Sequence, residues 1–185
     1  GRIDLDKVDC LLFNMRRYDT PPIGRLISPE QAAAYFMLGE STITSADDPS
    51  RVGQAKRVVG FDPFVIDNPH INGNRLLGIL RDNPGIRCYL LNTGRVGGKD
   101  GANITVEATT TAVREAMRET LEWRYDDILG YEIPSSLPVP QGEDLDPYRW
   151  YSREEYASMI GDLRRERREY LQQFKGLAPE IVDGV

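Results

Sequence analysis

Between Cys88 and Met117 the chain reads CYLLNTGRVGGKDGANITVEATTTAVREAM. An apolar run enters a glycine-rich turn, and a helix leaves it. The run IRCYLLN at 86–92 carries no polar alternation, which suits a strand covered on both faces. From Thr105 onward Val113, Ala116, Met117, Thr120 and Leu121 recur at helical spacing, which makes them one face of an expected helix. A buried strand feeding a helix through glycines restricts the chain to an α/β class. The lysine in the turn does not make it a phosphate-binding P-loop. The G-x-x-x-x-G-K-[ST] pattern starting at Gly94 would need a glycine where Lys99 already stands, and Asp100 occupies the place of the lysine.

Other stretches supply the remaining elements. DCLLFNM at 9–15 suits a buried strand, and RRYDTPPIG after it has loop chemistry. Ser28, Pro29 and Gln31 form an S-x-x-Q capping box, and Gly39 is placed to end the helix after AAAYFML. The polar stretch 40–56 reads as a loop, and 58–66 as extended. Asn68 and Pro69 form a capping pair for a helix through Leu76, Leu77 and Leu80 that closes near Asn83-Pro84-Gly85. Four prolines mark 129–151 as a coil wrapping a surface, anchored by Ile133, Leu137, Val139 and Trp150. A long C-terminal helix over 152–175 follows, with Ser152 and Glu155 as its capping box and Gly176 as its stop. The whole is expected to form a single domain over 1–185.

Composition narrows the function. The 185 residues carry a formal net charge of −6, which disfavours a nucleic-acid module that works through a broad basic field. No apolar run approaches the roughly 20 residues of a membrane span, and GRIDLDKVD lacks a signal-peptide pattern. The expectation is a cytoplasmic protein without a membrane partner. Cys10 and Cys88 sit in separate apolar runs and read as reduced core residues. The chain starts at Gly1 rather than an initiator methionine, and is expected to be a piece of a longer protein.

With His70 as the single histidine, no multi-imidazole metal site or Ser-His-Asp triad can be assembled, and His70 itself reads as a helix-end or surface residue. No metal ligand is nominated: the acidic pairs Asp47-Asp48, Asp126-Asp127 and Glu143-Asp144 lack a calcium-loop spacing and read as solvated turns. Arg164, Arg165, Arg167 and Arg168 read as an exposed, Glu-paired surface, with a partner-binding role as the alternative. Arg25 stands out. Placed in a turn just before the capped helix, its guanidinium and the helix N–H groups could converge on an anion.

Four blocks resemble, in order, the C-terminal region of ATP-dependent phosphoenolpyruvate carboxykinase. They are PPIGRLISPEQAAAYFMLG, CYLLNTGRVGG, NITVEATTTAVREAM and LGYEIPSSLPVPQGEDLDPYRW. The resemblance implies a mixed-sheet α/β lobe similar to that family's C-terminal nucleotide-binding domain, ending in a long helix. For a complete enzyme it also implies decarboxylation of oxaloacetate coupled to phosphoryl transfer from ATP, with Mg²⁺ or Mn²⁺. Arg25 matches the arginine that reaches the transferring phosphate, and Thr109 matches a threonine beside the nucleotide. Gly94, Gly97, Gly98 and Asn103 fall on the wall of the nucleotide cleft. The family's P-loop and metal ligands lie upstream, so the implied partner is the N-terminal part of the same protein, and the piece alone is expected to bind no cofactor and be inactive.

The chain departs from the family pattern at several places. Asn103 replaces an arginine, Arg95 replaces the tryptophan after Asn-Thr-Gly, Ile43 replaces a lysine, and SADD replaces Ala-Gly-Thr-Glu. A divergent carboxykinase-like enzyme is one expectation. A non-catalytic scaffold that keeps the fold and uses its arginine-rich helix for a partner is the other.

Overall fold

The computed structural model describes residues 7–43, 48–51, 54–59, 68–139 and 144–185. Its centre is a mixed five-stranded sheet in the order β1-β5-β2-β9-β8. β1 (Cys10–Met15) runs parallel to β5 (Arg87–Asn92), from Cys10 opposite Arg87 to Met15 opposite Asn92. β2 (Ile23–Arg25) lies antiparallel to β5, and β9 (Tyr131–Pro134) pairs with β2 at Arg25 and Glu132. β8 (Trp123–Asp126) closes the order as the antiparallel partner of β9. Two small hairpins stand outside: β3 (Glu40–Thr42) with β4 (Ala55–Arg57), and β6 (Arg95–Val96) with β7 (Ala102–Asn103).

Helices cover both faces. Leu90, Ile133 and Met15 pack into one core with α1 (Pro29–Leu38), α2 (Pro69–Asp82), α4 (Arg153–Gln172) and α5 (Pro179–Val182). Ile23, Tyr89 and Leu91 pack into another with Ala112 and Ala116 of α3 (Val106–Met117). Successive residues of β5 therefore enter opposite cores, which is why its sequence is apolar without interruption. The mixed α/β lobe with a long helix near its end is the class its sequence implies.

Local chemistry accounts for the helix ends. The Ser28 hydroxyl accepts from the Gln31 N–H at 3.1 Å, and the Gln31 side chain accepts from Ile27 N–H rather than from Ser28, a variant of the expected box. Gly39 ends α1 at φ +48°, and a Cβ there would sit 1.8 Å from the Val58 carbonyl oxygen, so only glycine fits. Both halves of the α4 capping box form between Ser152 and Glu155. Asn68, by contrast, makes no side-chain cap on α2.

Several expectations are corrected. The supposed loop 40–56 contains the β3–β4 hairpin, and the supposed coil 129–151 begins with sheet strand β9. Arg25 ends strand β2 instead of sitting in a turn. Arg167 is not on an exposed surface: it is 1% exposed, because it continues the stripe of Tyr156, Ile160, Leu163 and Leu171 that α4 buries. Most of 58–66 lies outside the described residues. Both cysteines are free, and burial pushes the Cys88 thiol up to about 11, with Cys10 nearby adding to the shift. No helix among the described residues is long and apolar enough to cross a membrane.

Candidate functional site

Arg25 is held from two sides. Its Nε donates to Glu132 Oε2 at 2.5 Å across the β2–β9 pairing, and its guanidinium lies 5.0 Å from the centroid of the Trp123 ring. About a third of its side chain stays exposed, and among the described residues its two terminal nitrogens have no hydrogen bond. Arg25 is one of the residues lining a 260 Å³ groove whose other walls include Ser28, Pro29, Leu80, Ile86 and Arg87.

The N-terminus of α1, which borders that groove, does not offer the free donors its sequence suggests. Pro29 has no N–H, Ile27 N–H is taken by the Gln31 side chain and Gln31 N–H by the Ser28 hydroxyl. The Glu30 carboxyl is held below its ordinary value by a bond to its own backbone N–H and by Arg81. The helix end is satisfied internally, so cationic character at the groove comes from Arg25 and from Arg87, which is paired with Glu119.

The glycine-rich turn is a different construction. β6 and β7 make a short hairpin whose start is pressed against the segment after β1: Arg95 N–H donates to Arg17 C=O at 2.8 Å and Gly98 N–H to Tyr18 C=O at 2.7 Å. A Cβ on Gly94 would lie 2.0 Å from the Arg17 carbonyl oxygen, which explains the glycine. Gly97 lies directly under the Trp150 indole, and Gly98 beside the Tyr151 hydroxyl. Ile104 N–H returns to Gly94 C=O, after which the Thr105 hydroxyl caps α3 by accepting from Ala108 N–H. This puts exposed Asn103 and half-buried Thr109 on either side of the α3 start, with Val106, 81% exposed, between them.

Arg25 and this hairpin are not neighbours. Arg25 pairs with Tyr89, toward the start of β5, and the hairpin begins beyond Asn92 at its other end, roughly 10 Å or more further along the strand. The Arg25 groove is therefore not walled by the glycine turn. Asn103, Thr109, Gly94, Gly97 and Gly98 form one group, and Arg25 stands apart from them with Glu132 and Trp123. Neither of those two partners was legible as such, since each lies about a hundred residues away.

A second arginine cluster is more deeply buried. Arg167 meets Glu40 in a two-pronged pair at 3.0 and 2.6 Å and donates to the Tyr35 hydroxyl at 3.0 Å. Arg57 and Arg17 approach the same carboxylate at 3.4 and 3.5 Å. Burial alone would push the Glu40 carboxyl up, but Arg167, Arg17 and Arg57 together hold it at about 2. A sequence signal existed in Arg167's place on the apolar stripe of α4. This cluster joins α4 to the β3–β4 hairpin and uses its charges internally. His70, on the first turn of α2, packs against Gly176. Among the described residues no three His, Cys, Asp or Glu side chains converge as a metal site.

The profile of the family described as "Phosphoenolpyruvate carboxykinase" matches residues 12–142, which include Arg25, the glycine hairpin and the start of α3. The chain belongs to the phosphoenolpyruvate carboxykinase family. It is 32% identical over 178 residues to a protein of Aeropyrum pernix named "Phosphoenolpyruvate carboxykinase (ATP)", covering 96% of this chain and 35% of that protein. A protein of the same name from Thermus thermophilus is 32% identical over 173 residues, covering 88% of this chain and 32% of the relative. One from Bradyrhizobium sp. is 29% identical over 186 residues, covering 87% and 33%. The chain thus spans about a third of the length of the curated relatives it matches.

Proposed function

We propose that this chain is the part of an ATP-dependent carboxykinase that presents Arg25 to the transferring phosphoryl group and the start of α3 to the nucleotide. The observation that carries this reading is the state of Arg25: its Nε is anchored by Glu132, its guanidinium lies over Trp123, its terminal nitrogens have no hydrogen bond among the described residues, and the residue lines an open groove. Family membership supplies the reaction class. In that reaction the C–C bond to the departing CO₂ of oxaloacetate breaks and its electron pair forms the enolate. The enolate oxygen takes the γ-phosphoryl group as the bond to the β-phosphate oxygen breaks, and ADP leaves. The Arg25 guanidinium would stabilise charge on the phosphoryl oxygens as they pass through the transition state.

The nucleotide is elongated, which suits a site in which Arg25 and the Asn103–Thr109 group lie at opposite ends of β5. Mg²⁺ or Mn²⁺, when bound, would neutralise phosphate charge. The described residues do not fit such an ion, so its ligands and the P-loop are assigned to the N-terminal part of the same protein, in the cytoplasm. The piece alone is accordingly inactive.

The whole protein tests this. Mg²⁺ and ATP should raise its unfolding temperature, and Arg25→Ala should lower turnover of oxaloacetate by about 10²–10³-fold, the scale of losing one transition-state donor. Wild-type turnover without dependence on Arg25 would remove the assignment.

One observation favours the scaffold alternative: Arg95, where the family has tryptophan, folds back and donates to the Lys99 carbonyl of its own hairpin. The sequence upstream in the gene discriminates, because an intact G-x-x-x-x-G-K-[ST] supports an enzyme and its absence a scaffold.

A further inference from the structure

Asn92 is fully buried, and its carboxamide is used at both ends. Its Oδ1 accepts from Arg17 N–H and from Gly94 N–H, each at 2.9 Å. Its Nδ2 donates to Thr20 C=O at 2.8 Å, to the Thr20 hydroxyl at 3.1 Å and to Arg95 C=O at 3.3 Å. One side chain therefore bridges two segments that are distant in sequence: 17–20, which leads through Pro21 and Pro22 into the strand of Arg25, and 94–95, which opens the glycine hairpin. The carboxamide suits this, with an oxygen that accepts two N–H groups on one side and an NH₂ that donates on the other.

We infer that Asn92 is a positioning residue for nucleotide, acting through the hairpin that sets the start of α3. The inference rests on the nucleotide-binding reading above. Asn92 holds Gly94, Gly94 C=O accepts from Ile104 N–H, and Thr105 then caps the helix that carries Thr109. Tilting the hairpin would move Asn103, Val106 and Thr109 together, while Arg25, clamped by Glu132 and Trp123 at the far end of β5, would stay in place. The carboxamide thus controls one end of the proposed ligand without touching it.

The test uses the whole protein and two variants. Asn92→Asp keeps an oxygen for Arg17 and Gly94 N–H but turns a second oxygen toward the carbonyls of Thr20 and Arg95. Thr20→Val removes one acceptor with little change of shape. Three quantities are read: the Kd of Mg²⁺-ATP by calorimetry, hydrogen exchange of the Gly94, Arg95 and Gly98 amides, and the unfolding temperature. Expected for Asn92→Asp is a Kd about tenfold weaker, the scale of one lost buried hydrogen bond, with faster exchange confined to the hairpin. Thr20→Val should move both in the same direction by less, and decides the matter if Asn92→Asp does not fold. A lowered unfolding temperature with unchanged Kd would make Asn92 merely structural and overturn the inference, as would unchanged hairpin exchange. A wild-type protein that does not bind Mg²⁺-ATP overturns the functional reading instead, and with it the role assigned to the hairpin.

Discussion

Arg167 with Glu40 and Arg25 with Glu132 are the same chemical pair in two surroundings. The first is closed off from water, with side chains 2% and 4% exposed, whereas the second sits on paired strands with 34% and 26% exposed. Every donor of Arg167 that faces a partner is committed, to Glu40 and to the Tyr35 hydroxyl. Arg25 commits only Nε among the described residues. Burial makes a charge pair indispensable once formed, because removing one partner strands the other in a medium that cannot solvate it. Partial exposure lets solvent screen the pair, so its cation costs little to keep and remains usable by a ligand. One arginine is a fastener and the other is a tool.

The contrast can be broken most forcefully at Arg167. Arg167→Ala should cost about 3–5 kcal/mol in urea unfolding, and Arg167→Met with Glu40→Leu together should recover most of it, since an apolar pair needs no solvation. A double variant as unstable as the single one would show that the cluster does more than satisfy its own charges.

Acid probes the same cluster. The folded Glu40 carboxyl sits near 2 against an ordinary value of 4.5. Because the folded value is depressed, the associated stability is complete above about pH 4.5 and is lost as pH falls toward 2. The loss should be on the order of 3 kcal/mol, visible as a falling urea midpoint, and flattened in Glu40→Gln relative to its own neutral-pH value.

At the hairpin, where backbone meets backbone, Gly94→Ala should destabilise by about 1–3 kcal/mol, because the added methyl collides with the Arg17 carbonyl. The smallest effect is expected at the exposed pair: Glu132→Gln should change unfolding free energy by less than about 1 kcal/mol. A loss there as large as at Arg167 would erase the distinction between the two pairs.

The parts of this molecule that were legible in sequence are those whose causes are local. β5 announces itself by an unbroken apolar run, α1 by Ser28 and Gly39, and α4 by Ser152 and Glu155. β8 and β9 were hidden because each is short, contains charged residues, and is a strand only through its neighbours; Pro134 and the prolines after it argued for coil instead. The candidate site divides the same way. Arg25 could be singled out by its place before a capped helix and by family resemblance. Its strand, its clamp by Glu132 and its distance from the glycine turn follow from pairings across the sheet. Asn92 was readable only as the polar end of a strand, since its partners at 17–20 arrive from 72 to 75 residues earlier.

The most direct test of Arg25 as a working cation is the oxaloacetate turnover of the Arg25→Ala whole protein, compared with wild type at a temperature where both are folded. Turnover should fall by about 10²–10³-fold with a nearly unchanged unfolding free energy. Turnover that falls only in proportion to lost folded protein would contradict it and make Arg25 a second fastener.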